Sequence, residues 1–160
     1  MLDYYGLGSG FPGQLTYLPT ALAKVRHLER SLAADIHASL PKGQTQRRFL
    51  PYFQLHELEA LFLSDPAAFA QAINQPLARF QNIRDTFQTP EDINNDPEGA
   101  PSQRILKLFP AYRKVLHGSR AAEAISIETM RQACPHFRDW TNRLAALASP
   151  ENLTSTPLAP

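Results

Sequence analysis

The sequence predicts an α/β fold, with a small, mostly parallel sheet and flanking helices in its first half and a helical C-terminal half. Three observations predict it. Residues 49–65 begin as an apolar run rich in aromatics, Phe49 to Leu55, and then change period at His56 so that Leu55, Leu58, Leu61 and Phe62 share one helical face. A second set of strand formers, Leu2-Asp3-Tyr4-Tyr5, precedes a helical pattern between residues 20 and 40, which gives a β-α-β unit with parallel strands and a right-handed crossover. From Gln75 onward no run has strand character. The expected organisation is one domain over residues 1–148, with a β-α-β-α part at 1–74 and a helical part at 75–148, followed by a disordered tail at 149–160.

The elements follow in order. Gly6, Gly8, Gly10, Pro12 and Gly13 make a loop, and the absence of a following Lys-Ser or Lys-Thr argues against a phosphate loop. Thr20 caps a helix reaching Leu40, in which Leu22, Val25, Leu32 and Ile36 recur at helical spacing; Pro41-Lys42-Gly43 ends it. After the strand and helix of residues 49–65, Asp65-Pro66 restarts the helix with a cap and a proline in its first position. Thr89-Pro90-Glu91-Asp92 is another helix start with acidic residues in the favourable first turn. Ser102 caps a helix to Phe109, Pro110 starts one closed by Gly118, and Ser119 and Ser126 are later caps. The last helix starts at Pro135 and presents a stripe of Phe137, Trp140, Leu144 and Leu147 for docking.

At 160 residues the chain can bury roughly two-thirds of its unfolded surface in one core. Sixteen Lys and Arg against fifteen Asp and Glu leave a net charge of +1, which argues against bulk affinity for nucleic acid or a membrane surface. A single cysteine, Cys134, forms no internal disulfide, no signal segment is visible, and the apolar runs fall short of the roughly 18 residues a membrane span needs. A cytoplasmic protein is expected. The charges are nevertheless segregated: Asp85, Glu91, Asp92, Asp96 and Glu98 form an acidic segment, and Arg104, Lys107, Arg113, Lys114 and Arg120 a basic one. Two readings of this stand side by side. The segments pair with each other as solvated faces, or Arg104, Arg113 and Lys114, with His117, form a phosphate-contacting surface for nucleic acid.

Chemistry is expected where the strand feeds the helix, because α/β folds place working residues at the carboxyl ends of strands. His56, Glu57 and Glu59 stand there. The opposing reading makes Asp3 a turn residue and Glu57 and Glu59 ordinary surface groups. His56, His117 and His136 match no zinc spacing, and Cys134 reads as a buried structural thiol.

The segments Asp3-Tyr4-Tyr5-Gly6, Phe11-Pro12-Gly13, Phe49 to Leu61 with its Gln54-Leu55-His56-Glu57-Leu58-Glu59 centre, Ile93-Asn94, Ala100 to Ile105 and Cys134-Pro135-His136-Phe137 together resemble the bacterial family called domain of unknown function 4276. The resemblance covers residues 1 to about 147. It implies a Toprim-like fold related to the nuclease domain of overcoming-lysogenisation-defect proteins, an AAA- or ABC-type ATPase partner encoded nearby, and a role in anti-phage defence. The implied chemistry is phosphodiester cleavage of DNA or RNA with magnesium or manganese held by carboxylates. Asp3 fits the first aspartate of an Asp-x-Asp pair whose second position is Tyr5, and Glu57 and Glu59 match the family's His-Glu-x-Glu element. On a helix, two residues of separation turn Glu57 and Glu59 about 200° apart, so Glu57, with Asp3, is the expected catalytic and metal-binding carboxylate, and Glu59, a further metal-ligand candidate, is expected to be structural or paired with a base. The family's upstream strand and glutamate do not precede Met1, which suggests a truncated gene or a misplaced start. A metal-dependent nuclease, a non-catalytic subunit docking the ATPase, and an inactive fragment are the three functions these observations leave open.

Overall fold

The computed structural model describes the backbone of residues 2–3 and residues 7–41, 49–93 and 99–147. In chain order the elements are β1 (Leu2–Asp3), α1 (Ala21–Ser39), β2 (Phe53–Gln54), α2 (Leu58–Phe62), α3 (Pro66–Ala72) and α4 (Ala78–Asp85). A 3-10 turn (Pro90–Asp92), α5 (Pro101–Leu108), α6 (Lys114–Ala124), α7 (Ile127–Ala133) and α8 (Pro135–Leu147) complete them.

The expected α/β, Toprim-like architecture is overturned. The protein is mostly helical, with eight α-helices among the described residues. Its strand content there is a two-residue parallel pairing of Leu2 with Phe53 and Asp3 with Gln54. The run from Phe49 to Leu55 misled because apolar aromatic segments read as strand whenever they are buried, whatever their backbone partners. Pro51 has no N–H to give a ladder, and the N–H of Phe53 donates to the Glu29 carboxylate at 3.0 Å, the donor a further strand would need. His56 then takes a left-handed backbone (φ 63°), which turns the chain sharply into α2.

Several helices follow the expected chemistry. Thr20 caps α1 by accepting from Ala23 N–H, Asp65 caps α3 by accepting from Ala67 and Ala68 N–H, and Ser126 caps α7 by accepting from Thr129 N–H. The glycine-rich loop is the opposite of an anion cradle, for its carbonyls converge on a cation. Lys24 Nζ donates to the carbonyls of Gly13, Gln14 and Thr16. Gly13 stands at φ +77°, and a Cβ there would meet Ser31 Oγ at 2.6 Å, so glycine is required both by conformation and by the approach of α1.

Several expected helix boundaries shift, and the helix expected to start at Pro110 begins at Lys114. Gly118 does not close a helix but lies inside α6, with Phe62 3.6 Å from where its Cβ would stand, which lets α6 approach α2. Ser119 likewise lies within α6, and Ser102 sits in the first turn of α5 rather than before it. Both α5 and α8 begin with proline after a residue that cannot cap, Ala100 and Cys134. Each is capped from a distance by a glutamate. Glu57 accepts from Ser102 N–H at 2.8 Å, and Glu91 accepts from His136 and Phe137 N–H at 2.8 and 2.9 Å.

The main core gathers α2 to α8 around Phe62, Phe69, Phe80, Ile93, Ile105 and Phe137. The Phe69 ring meets Phe80 edge-on with centroids 4.9 Å apart and lies 6.0 Å from Phe62. A smaller cluster of Val25, Leu28, Phe53 and Leu55 seats α1 on β2. The final stripe docks only at its beginning. Phe137 is buried and Trp140 half-buried, whereas Leu144 and Leu147 remain exposed.

Candidate functional site

The carboxylate site is built by α2 packing under the first turns of α5 and α6. Glu57, the residue before α2, has extended backbone and accepts from Ser102 N–H at 2.8 Å and from Ser102 Oγ at 2.9 Å. Lys114 Nζ, in the first turn of α6, reaches Glu57 at 3.2 Å and Glu59 at 3.6 Å. The two glutamates therefore share one cation, although helical spacing alone would separate them, because Glu57 lies before the helix rather than within it. Burial alone would raise the Glu57 carboxyl, but the Ser102 hydrogen bonds and Lys114 outweigh it and hold it below the ordinary carboxylate range. Glu59 goes the other way, because burial outweighs Lys114 and raises it. Lys114 is raised, since the two carboxylates outweigh its partial burial.

Asp3 stands on β1 opposite Gln54, which brings its backbone to the strand that leads into Glu57; its side chain lies outside the described residues. Among the described residues no group of three His, Cys, Asp or Glu side chains is arranged to hold a metal. A divalent cation at Glu57 and Glu59 would require Lys114 to leave and a further oxygen donor to arrive. The described side chains alone do not fit such an ion.

The four residues expected to contact phosphate do not converge. Lys114 is drawn onto the two glutamates. Arg104 donates from Nε to the Gly99 carbonyl at 2.6 Å and lies over the Phe87 ring at 5.0 Å. His117 is buried beside Phe109 and stacked on Tyr112, and its Nδ1 accepts from Arg113 N–H at 2.8 Å. Burial, then Arg113 and Arg120, push its pKa down, which suits the neutral, accepting ring. Arg113 alone of the four is exposed with no ion-pair partner among the described residues. Together with Val115, Leu116, Ser119, Arg120 and Glu123 it lines a groove of about 530 Å³ along α6. Val115 is 86% exposed there, with the partly exposed Leu116 beside it.

Sequence reasoning missed a second constellation, between α1 and α8. Arg26, Glu29, Arg30 and Ala33 recur at the i, i+3, i+4, i+7 spacing of one helical face, and so do His136, Asp139, Trp140 and Arg143. The two stripes line a cavity of about 300 Å³. Cross-links join them: His136 Nε2 meets Glu29 Oε1 at 3.0 Å in a buried pair, and Arg26 meets Asp139 at 3.1 Å near the surface. Tyr52 stacks on both the His136 and the Trp140 rings, with centroids 5.1 and 4.4 Å away. The signal was present as two polar stripes with matching spacing, but an apolar-face search passes over them. Cys134, just before α8, is buried, and burial followed by Glu91 pushes its thiol up, away from the reactive thiolate.

Among the described residues no helix is long and apolar enough to cross a membrane. Residues 1–145 match the family model described as domain of unknown function, DUF4276. No curated protein and no solved structure matches the chain.

Proposed function

The chain belongs to the DUF4276 family, and on that premise we propose that it is a non-catalytic interaction subunit that docks a partner protein along α6, the partner being the ATPase that the family resemblance implies. The observation that carries this reading is the contrast between the two polar surfaces of the helical half. Glu57, Glu59, Ser102 and Lys114 are consumed in holding α2, α5 and α6 together. The outer side of α6 is instead left with an apolar pair, Val115 and Leu116, between Arg113 and Arg120. Apolar side chains rimmed by unpaired arginines fit an acidic partner segment with apolar anchors.

Titrating the purified chain with the ATPase tests this directly. Val115→Asp should weaken binding by about tenfold or more, since it places a charge in the apolar centre of the contact, while leaving the thermal midpoint unchanged because the side chain is exposed. Equal binding by wild type and Val115→Asp would remove α6 as the docking face. The competing reading is a magnesium- or manganese-dependent nuclease centred on Glu57 with Asp3. The proximity of Glu57 and Glu59 about Lys114 supports it, and it requires Lys114 to leave and Asp3 to supply the further oxygen donor. It forecasts metal-dependent cleavage of labelled DNA or RNA that Asp3→Ala and Glu57→Ala abolish.

A further inference from the structure

We infer that the cavity between α1 and α8 binds a phosphorylated small molecule of mononucleotide size. The inference rests on a face of the protein separate from α6 and does not depend on the docking reading.

Charge comes first. Three guanidinium groups, Arg26, Arg30 and Arg143, line the cavity with two carboxylates, Glu29 and Asp139, so the arginines outnumber the carboxylates by one. The compensation is also uneven. Glu29 is committed to His136 and to Phe53 N–H, and Asp139 to one nitrogen of Arg26. Arg30 and Arg143 have no ion-pair partner among the described residues, and both are exposed enough to meet a ligand from solvent. Arg26 keeps most of its five N–H donors unspent while Asp139 fixes its direction. A phosphate, with several anionic oxygens, is the group that such planar donors recognise best.

Shape and rigidity narrow the ligand further. A volume of about 300 Å³ lies at the small end of ligand sites, enough for a phosphate with a compact organic body. Trp140 supplies an aromatic wall for that body and is itself held by stacking on Tyr52. The Glu29–His136 pair is buried, receives the Phe53 amide and is backed by the same tyrosine. The site is therefore preformed, so little binding energy is spent on ordering it.

Isothermal titration of the full chain with inorganic phosphate, adenosine 5′-monophosphate and adenosine tests the proposal. Phosphate should bind weakly, the monophosphate about tenfold tighter through contact with Trp140, and adenosine not at all. Arg30→Gln and Arg143→Gln should each weaken the monophosphate about tenfold. Both side chains are at the surface, so their thermal midpoints should stay at the wild-type value. Arg138→Gln, on α8 but about 200° round the helix from His136, should change nothing. Absence of saturable binding by phosphate and monophosphate, binding of adenosine as tight as of its monophosphate, or a loss in Arg138→Gln equal to that in Arg30→Gln would each overturn the site.

Discussion

Glu57 keeps its negative charge in a half-buried place because the start of α5 and a lysine point at it. The Ser102 amide and hydroxyl and the Lys114 ammonium all donate to its carboxylate. Glu57→Gln should therefore cost about 2 kcal/mol in denaturant unfolding at neutral pH, the worth of a charge-assisted bond lost with its partners left in place. The pH dependence has a definite sign. The folded protein holds this carboxyl below its ordinary range, so its contribution is complete above the unfolded-state pKa and disappears as pH falls through the folded value. The difference between wild type and Glu57→Gln should accordingly shrink toward zero on acidification. Glu59, whose carboxyl burial raises, has the opposite sign and loses its contribution as pH rises through its folded value. A Glu59→Gln variant with the same acid-limb loss as Glu57→Gln would contradict the assignment. Sequence alone marked both glutamates as special but could not show that Lys114, 57 residues after Glu57, is the cation between them.

Caps supplied across the fold explain why helix starts were only partly legible. Thr20, Asp65 and Ser126 cap helices three or fewer residues away, and their residue type and position announce it. The starts of α5 and α8 carry proline but no local cap, and their acceptors, Glu57 and Glu91, stand about 45 residues upstream. No local pattern encodes that pairing. Burial raises the Glu91 carboxyl against the two α8 amides that lower it, so this cap works in a dry place where an unmet N–H is costly. Glu91→Ala should lower stability by about 2 kcal/mol, combining a lost cap with two buried unpaired donors. Glu91→Gln, which keeps one carbonyl acceptor, should recover part of that loss. Thermal melts of the two variants side by side check the order, and equal losses would mean that the side chain acts through packing rather than through capping.

The helical second half was legible as a whole because amphipathic spacing survives wherever helices bury one face, whereas the expected sheet failed at a single physical point. A buried aromatic segment needs hydrogen-bond partners, and the sequence does not say whether those are strands or side chains; here Glu29 on α1 serves Phe53. That substitution has a consequence for the whole molecule. Val25 and Leu28 seat α1 on the small cluster with Phe53 and Leu55, apart from the larger core of α2 to α8. Between α1 and α8 the polar links are Arg26–Asp139, an exposed pair worth about 0–1 kcal/mol, and the buried Glu29–His136 pair. Glu29→Ala removes the stronger link and leaves the Phe53 amide without its acceptor, at a cost of about 2–4 kcal/mol. Amide hydrogen exchange should then show α1 losing protection first and most, with α3 and α6 nearly unchanged until global unfolding. Phe69→Ala, in the larger core, should instead cost about 3–5 kcal/mol and lower protection in every helix together. A uniform loss of protection in Glu29→Ala would mean that α1 and the main core unfold as one unit, and the buried glutamate would then be one contact among many rather than the hinge pin between two cores.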